Sequence, residues 1–275
     1  MSLIKGIPIV PLALHHSIFP LGDSAVTIDL GNCIDDQYNT KALAIYDQLQ
    51  TRRFPGLTDI IVSYSSVSLF YDPVAVCPDR TACPSGAFGI VKRMLEEIWA
   101  LVQSDPRFGG FAGPSGVPVV SVAAPKGRFF RIPVCYGGEY GPDLEWVARE
   151  KGLDPGEVIR FHSEVEYRVF MIGFLPGFPY LGRTDARLQI GRKSQPVPVS
   201  AGGVGIAGFQ TGVYTLSSPG GWQIIGRTPV RLFDAGTDPP VRLKAGDRVQ
   251  FYPVGSEAYS AWKDRNEQLY PVSFV

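Results

Sequence analysis

The sequence predicts an α+β chain of two domains: an N-terminal split βαβ unit of the ferredoxin-like type, then a domain built from short strands. The chain has 275 residues, which is long enough for two domains and a substantial core. Its first half follows the order β-α-β-β-α-β, which is typical of the split βαβ motif. Beyond residue 165 the helical period is lost, and short strand patterns alternate with Gly/Pro turns. We therefore predict domains at residues 17–130 and 131–275.

The first strand and the first helix are predicted from two different periods of apolar residues. Phe19–Leu30 contains a stretch in which alternate side chains are apolar, which indicates a strand. Asp35 or Asp36 can cap the helix that follows, and the pair Pro55-Gly56 ends it. The apolar residues of this helix recur at helical spacing, at Tyr38, Ala42, Ile45 and Leu49.

A hairpin and a second amphipathic helix come next. Asp59–Ser63 and Ser66–Tyr71 are rich in Ile, Val and aromatic residues, and they predict two strands joined at residues 64–65. The second helix follows, and its apolar face is predicted at Val91, Met94, Leu95, Ile98 and Val102.

One further strand, Arg128–Val134, completes the first domain and runs straight into the second. The domain boundary is therefore placed near Arg131–Cys135. Two stretches rich in Pro, Gly and Ser flank the second helix, at residues 72–86 and 105–127. Neither stretch contains a convergent set of reactive groups, so we interpret both as mobile surface insertions.

The second domain starts with two helices and continues as strands. Pro142 suits the first position of a helix that Gly152 ends. Asp154-Pro-Gly-Glu157 has the spacing of a capping box, and it opens a short helix ending near His162. A closed barrel or a sandwich is predicted from the strands that follow, since closure removes exposed edges. These strands are predicted at Tyr167–Phe174, Val204–Ile206, Val213–Leu216, Gln223–Ile225, Val230–Phe233 and Arg248–Tyr252, ahead of a tail at residues 255–275.

Composition excludes several classes of function. Lys+Arg and Asp+Glu both number 26, and this balance argues against nucleic acid as the main partner. The sequence has no apolar run of the length that a membrane span needs and no secretory signal pattern, so a cytoplasmic protein is predicted. No metal site is expected, because the four cysteines lack C-x-x-C spacing and only three histidines are available.

Three glycine-rich clusters dominate the second domain, at residues 171–182, 199–214 and 218–228. Glycine occurs where the backbone takes positive φ or closely approaches another group. The aromatic residues between the glycines favour a mostly apolar cavity with a few aimed polar groups, while packing of a sheet corner is the alternative. Gly203-Val-Gly-Ile-Ala-Gly208 matches the dinucleotide fingerprint, but the residues after it continue as strand and turn, which argues against that function.

The candidate catalytic residues are His162, Arg192 and Gln210. A histidine between a helix and a strand can act as an acid, a base or a phosphate ligand, or it can cap the helix end. Arg192 beside a glycine turn suits a carboxylate or phosphate ligand, with a solvated surface charge as the alternative. The sequence contains no evident Ser/His/Asp set, so catalysis by positioning and electrostatics is expected. The candidate substrate-binding residues, each of which also suits a core or surface role, are Phe178, Tyr214, Trp222 and Arg227.

Several long motifs resemble one protein family. They are Gly173-Phe-Leu-Pro-Gly-Phe-Pro-Tyr-Leu-Gly182, Gly205-Ile-Ala-Gly-Phe-Gln-Thr-Gly-Val-Tyr214 and Ser218-Pro-Gly-Gly-Trp-Gln-Ile-Ile-Gly-Arg-Thr-Pro229. They are similar to the family of 5-oxoprolinase B subunits, also called allophanate hydrolase subunit 1, the Kip-type kinase inhibitor and part of the urea carboxylase carboxyltransferase domain. The resemblance covers roughly residues 19–254. It implies a ferredoxin-like domain followed by a cyclophilin-like β-barrel.

The resemblance also implies a function. Members of the family work with a homologous cyclophilin-like C-type subunit and a third catalytic subunit to open 5-oxo-L-proline to glutamate, with ATP hydrolysis driving the reaction. ATP then acts through the complex, and its contact with this chain is left open. The alternatives implied are a carboxyltransferase-type subunit acting on urea or allophanate, and an inhibitor that binds a sensor histidine kinase. The positions matching the pocket motifs of the family are His162, the Phe178 segment, Arg192, Gln210, Tyr214 and Trp222.

Overall fold

The computed structural model describes residues 16–79, 81, 83–106, 127–265, 269 and 271–272. The chain divides into two compact units, residues 1–105 and residues 106–275. Among the described residues, no helix has the combination of length and apolar character that crossing a bilayer requires.

Unit 1 is a four-stranded antiparallel sheet accompanied by helices. The elements in chain order are β1 Ser17–Pro20, β2 Ala25–Asp29, α1 Asp36–Thr51, β3 Leu57–Ser63, β4 Ser66–Tyr71, α2 Pro73–Val76 and α3 Gly86–Ser104. The strands lie in the order β1-β2-β4-β3.

The predicted helices and hairpin of unit 1 are confirmed. The Asp35 carboxylate caps α1 by accepting hydrogen bonds from the backbone N–H groups of Gln37 and Tyr38. Tyr64 takes a φ of 49° in the turn between β3 and β4, as a tight hairpin requires. The buried face of α3 carries four of the five predicted apolar residues, Val91, Leu95, Ile98 and Val102, together with Trp99.

One predicted strand of the first domain belongs to the second unit. The strand predicted at Arg128–Val134 is β5, Phe129–Tyr136, and it pairs with two strands of the barrel instead of the first sheet. Apolar alternation predicts a strand but does not identify its partner, which explains the error. The edge of the first sheet next to β2 is occupied by β1. Residues 107–126 lie outside the described residues, so the insertion at 105–127 and the boundary at 130/131 stay predictions.

Unit 2 contains a closed seven-stranded barrel and a separate pair of short strands. After β5 the elements are α4 Leu144–Lys151, α5 Pro155–Ser163, β6 Glu166–Ile172, β7 Pro179–Gly182, a 3-10 turn at Ala186–Leu188, β8 Val197–Val199, β9 Gly203–Ala207, β10 Gln210–Val213, β11 Ser218–Gly220, β12 Gln223–Arg227, β13 Arg248–Pro253 and α6 Ser256–Arg265. The barrel strands lie in the order β10-β7-β6-β13-β5-β12-β9, and β8 pairs with β11.

The predicted capping box and helix end of unit 2 are confirmed, whereas two predicted strands differ from the structure. Asp154 and Glu157 form the reciprocal capping box of α5, and Gly152 ends α4 at a φ of 64°. The strand predicted at Val213–Leu216 ends at Val213, since it is β10. Val230–Phe233 is not a strand, and only Phe233 forms an isolated bridge, to Val241.

Side chains fill the inside of the barrel. A buried cluster from β5, β6, β7, β9, β10 and β13 includes Phe130, Tyr167, Val204, Val213 and Phe251. A second cluster joins α4 and α5 to Ile206 and Ile225. The predicted apolar cavity is therefore not the interior of the barrel. Gly203–Gly208 forms β9 and the turn into β10, and no helix opens on it, so the argument against a dinucleotide fold is confirmed.

Candidate functional site

Four aromatic rings form a cluster on unit 2, and three of them are predicted site residues. Phe178, Tyr180, Tyr214 and Trp222, referred to here as the aromatic cluster, pack with Val199, Ala207 and Ile224. Phe178 makes edge-to-face contacts with Tyr214, at 5.2 Å between ring centroids, and with Trp222, at 5.6 Å. This geometry is the preferred one for aromatic pairs, because ring edges are positive and ring faces negative.

The aromatic cluster lies on the outer face of the barrel. Along β10, Thr211 and Val213 point into the barrel, so Gly212 between them faces outwards. A Cβ atom at Gly212 would lie 2.9 Å from Cζ of Phe178, and one at Gly220 would collide with the Tyr214 hydroxyl. These two glycines therefore make room for rings, which explains why glycines and aromatic residues alternate in this part of the sequence.

Phe174 is an exposed ring at the edge of the aromatic cluster. Its side chain is 61% exposed, and its backbone takes a φ of 68°, which is unusual for a residue with a bulky side chain. The ring stands edge-on to both Phe178 and Tyr214, at 5.6 and 6.3 Å between centroids. Phe174 therefore lies on the surface beside the cluster.

Arg192 lies beside the aromatic cluster as an exposed cation. Burial raises the pKa values of Tyr180 and Tyr214, and the positive charge of Arg192 partly opposes this increase in both. The Cβ atom of Arg192 lies 3.9 Å from the position that a Cβ at Gly221 would take. Within the described part of the chain, the Arg192 guanidinium makes no hydrogen bond and no ion pair.

The loop that carries Arg192 is held on both sides. Lys193 N–H donates to Gly221 O at 2.7 Å, Gln223 Nε2 donates to Gly191 O at 3.0 Å, and Gly208 N–H donates to Ile190 O at 2.6 Å. Arg192 is therefore an exposed side chain on an anchored backbone, and less entropy is lost when it binds a ligand.

Asp143 anchors the same loop through its side chain. Its Oδ2 atom accepts from Lys193 Nζ at 2.5 Å and from the backbone N–H of Ile224 at 2.6 Å. Asp143 occupies the N-cap position of α4 but makes no side-chain cap bond, because its carboxylate turns to β12 and the loop. The sequence identified this position only as a helix start, and no local signal indicated a partner 50 residues away.

Gln210 lies on the outer face, close to the aromatic cluster. It is the first residue of β10, and it pairs with Ala207 on β9 and Gly182 on β7. Thr211 points inwards, so Gln210 points outwards, on the same face as Ala207 of the cluster. Its side chain is partly exposed.

His162 is a fully buried member of a hydrogen-bonded chain. Thr211 Oγ1 donates to Gly205 O, so it accepts from His162 Nε2 at 2.7 Å. The other ring nitrogen, Nδ1, then accepts from the Tyr136 hydroxyl at 2.7 Å. Burial lowers the pKa of His162 from 6.5 to about 3, so the ring is neutral at physiological pH. With both nitrogens occupied inside the barrel, it is poorly placed to transfer protons with a ligand.

Arg227 has partners outside the aromatic cluster. Its Nε atom donates to Ala201 O at 2.8 Å, and its charge acts on Tyr259 of α6. The structure therefore brings together Phe178, Tyr214, Trp222, Arg192 and Gln210, while His162 and Arg227 have separate partners. Within the described residues, no group of three or more His, Cys, Asp and Glu side chains is arranged to hold a metal.

The closed barrel with an aromatic cluster on its outer face belongs to a known class of protein domain. The family of the carboxyltransferase domain, subdomain C and D, matches residues 16–243, and the chain belongs to this family. The chain is similar to the B subunit of 5-oxoprolinase from Bacillus subtilis (strain 168), with 41% identity over 256 residues, which is 93% of this chain and 100% of the relative.

Two further comparisons agree with this assignment. The chain is 36% identical over 242 residues to the 5-oxoprolinase B subunit of Haemophilus influenzae, a match of 88% of this chain and 99% of the relative. The crystal structure of TTHA0988 is similar with a TM-score of 0.66 and 31% identity, over 84% of this chain. The match spans 40% of the length of that chain.

Proposed function

We propose that this chain is the B-type subunit of a complex that opens 5-oxo-L-proline to glutamate at the expense of ATP. The complex contains a homologous cyclophilin-like C-type subunit and a third catalytic subunit, and this chain is active only within it. The similarity to two 5-oxoprolinase B subunits over most of the chain supports the assignment. In this function the chain is one subunit of a cyclic amide hydrolase, and the complex acts in the cytoplasm.

The observation that carries the proposal is the guanidinium of Arg192 beside the aromatic cluster, which has no hydrogen-bond or ion-pair partner among the described residues. A small organic anion needs one charged hydrogen-bond donor and an apolar surface for its ring, and this face offers both. Arg192 is held on an anchored loop, and Phe174 and Gln210 also lie on the outer surface of the barrel.

The chemistry assigned to this chain is positioning. An amide is a poor electrophile, and transfer of a phosphoryl group to its oxygen creates a leaving group. Binding the lactam in one orientation brings its carbonyl to the phosphoryl donor, which lowers the barrier without covalent chemistry by this chain. We assign ATP to another part of the complex, since on this chain Lys193 is paired with Asp143 and Arg227 donates to Ala201 O.

Co-expression with homologues of the two other subunits tests the proposal. The purified complex is expected to hydrolyse ATP in a manner that depends on 5-oxo-L-proline, and to release glutamate in equal amount. A stable complex that releases no glutamate under these conditions contradicts the proposed function.

Substitution of Arg192 is the first variant to test. Arg192→Ala is expected to lower kcat/KM for 5-oxo-L-proline by about 100-fold or more, because the charged donor is lost. The melting temperature of the variant should remain within about a degree of the wild type, since an exposed side chain contributes little to stability. A large fall in the melting temperature of Arg192→Ala contradicts a binding role.

A second candidate function is a carboxyltransferase-type subunit acting on urea or allophanate. The description of the matching family favours it. Transfer of a carboxyl group from carboxybiotin to urea by the same complex, without turnover of 5-oxo-L-proline, is the outcome that selects this function. The kinase-inhibitor hypothesis stays a prediction, and it is tested by measuring autophosphorylation of a sensor kinase in the presence of this chain.

We also propose the ferredoxin-like architecture for the first domain and the cyclophilin-like type for the barrel. Support for the first comes from the antiparallel sheet of unit 1, against which α1 and α3 pack. Support for the second comes from the closed barrel with α4 and α5 packed against it.

A further inference from the structure

We propose that Phe174 is the anchor residue through which this chain binds its C-type partner subunit. This inference rests on the proposed function, and it assigns the contact between the two subunits to one surface of unit 2. The partner that fits this surface is a folded protein with an uncharged face and a pocket for one aromatic ring.

The backbone at Phe174 is held in a conformation that costs stability. Its φ of 68° lies in the left-handed region that favours glycine. Three backbone hydrogen bonds close residues 173–178 into a turn. Thr215 Oγ1 donates to Pro176 O at 2.7 Å and fixes this turn to the chain that follows β10. Strained backbone persists only where the surrounding structure holds it in place, and it is concentrated at functional sites.

Packing of the Phe174 ring does not explain this backbone. The residue is 61% exposed, and it meets Phe178 and Tyr214 edge-on. Those two residues are buried, so their ring faces do not form open walls beside Phe174. A small-molecule site is concave and buries most of its ligand, whereas this ring projects from a turn. A projecting aromatic ring on a fixed turn suits a pocket in another protein.

Two stretches of unit 2 lack charged residues. Asp, Glu, Lys and Arg make up 19% of the chain, yet residues 169–182 and 194–226 contain none of them. Six exposed apolar residues of these stretches are referred to here as the uncharged surface: Phe174, Pro176, Val197, Pro198, Leu216 and Pro219. The cores of protein–protein interfaces are depleted of charged residues and enriched in aromatic ones, as this surface is.

Hydrogen bonds connect the parts of the uncharged surface. Pro198 of β8 lies opposite Pro219 of β11 in the two-stranded pair. Leu216 directly follows Thr215, whose hydroxyl group is bonded to Pro176 in the Phe174 turn. Nucleic acids and charged peptides need opposite charges on the protein that binds them. The uncharged surface therefore matches a protein partner whose facing surface is also uncharged.

The C-type subunit is the partner that the proposed function supplies. Interfaces of permanent complexes are more apolar than those of transient ones. A subunit seated on Phe174 also covers part of the outer face of the barrel, beside which Arg192 lies. Binding there closes a face that is open on this chain, and a closed site excludes water from the substrate. This closure gives a physical reason why the chain is active only within the complex.

Titration calorimetry of the purified chain with a purified C-type subunit homologue tests the proposal. Phe174→Gly is expected to raise the Kd about 30-fold or more, because the anchor ring is lost. Its melting temperature should equal or exceed that of the wild type, since glycine adopts this φ without strain. Trp146→Ala removes an exposed ring on α4, outside the uncharged surface, and it serves as the matched control with an unchanged Kd.

Activity of the assembled complex gives a second readout. With the C-type subunit in large excess, the Phe174→Gly complex should reach the wild-type kcat on 5-oxo-L-proline, because mass action restores the contact. An unchanged Kd with a raised KM for 5-oxo-L-proline overturns the proposal, since Phe174 then contacts the substrate. A melting temperature several degrees below the wild type also overturns it, because the ring is then structural.

The remaining outcomes separate the inference from the proposed function. Loss of self-association in Phe174→Gly, with an unchanged Kd for the C-type subunit, assigns the surface to a second copy and overturns the inference alone. A wild-type chain that does not bind the C-type subunit overturns the inference and the subunit assignment together. A complex that depends on Phe174 but releases no glutamate contradicts the proposed function and supports the assigned contact.

Discussion

At the scale of single residues, burial decides whether a polar side chain has a structural or a binding role. His162 and Arg192 are both basic residues in glycine-rich surroundings, and from the sequence alone both are equally good candidates for site residues. His162 has no exposed surface and two satisfied ring nitrogens. Arg192 is exposed and unpaired within the described residues. Of the two residues, His162 therefore has a structural role inside the barrel, and Arg192 is available to a ligand.

Stability should depend on pH through His162. The pKa of His162 is about 3 in the folded protein and 6.5 in the reference state. Between these pH values the imidazole is protonated in the unfolded chain and neutral in the folded chain. The free energy of unfolding therefore falls as pH decreases from about 6.5 towards 3, with a slope of up to about 1.4 kcal/mol per pH unit. Above pH 6.5 this contribution is constant.

Urea unfolding at several pH values measures this slope. His162→Gln is expected to be less stable at pH 8, because the hydrogen-bonded chain is broken, and to show a shallower dependence on pH between 6.5 and 4. His16→Gln changes an exposed histidine of unit 1 and serves as the control. An unchanged slope in His162→Gln contradicts a buried neutral imidazole.

At the scale of elements, backbone and ion-pair anchors turn a loop into a support for the site. Residues 190–193 have no regular structure for most of their length, yet they are bound to β12, to α4 and to the turn before β10. Asp143 and Lys193 expose only 18% and 19% of their side chains, so their attraction is weakly screened by solvent.

Removing one partner of this pair should loosen the loop. Asp143→Asn is expected to cost about 1–3 kcal/mol of stability, because Lys193 is left partly buried without a counter-charge. KM for 5-oxo-L-proline should rise by a larger factor than kcat falls, since Arg192 loses its fixed position. The double variant Asp143→Asn/Lys193→Met should recover part of the stability, and a cycle of the three variants measures the coupling. Strictly additive effects show that the pair does not interact.

Glycines in the strands leave room for the aromatic rings, so a larger residue at such a position should destabilise the protein. Gly212→Ala is expected to cost about 1–3 kcal/mol, because the new Cβ lies 2.9 Å from Phe178 Cζ and from Pro179 O. Gly255→Ala adds a methyl group where nothing lies within 4 Å, and it serves as the control. Thermal unfolding of both variants distinguishes them, and an equally stable Gly212→Ala argues against tight packing of the aromatic cluster.

At the scale of the whole molecule, each unit forms around its own core, and the barrel is closed by strands from distant parts of the chain. β5 pairs in parallel with β13, more than 100 residues later, and antiparallel with β12. Such pairings follow from the requirement that every strand edge inside the barrel is satisfied. The interior is then filled by side chains, which moves the place available to a ligand to the outer face.

The sequence by itself determined the local features of this protein: the capped helices, the hairpin, the glycine–aromatic clusters and the family resemblance. These depend on residues a few positions apart, where spacing and backbone preference are decisive. Only the tertiary structure decided that β5 belongs to the barrel, that Asp143 pairs with Lys193 and that His162 is buried while Arg192 is exposed. Those outcomes depend on which distant groups share a core or an ion pair, and pairing across the chain leaves no periodic signal in the sequence.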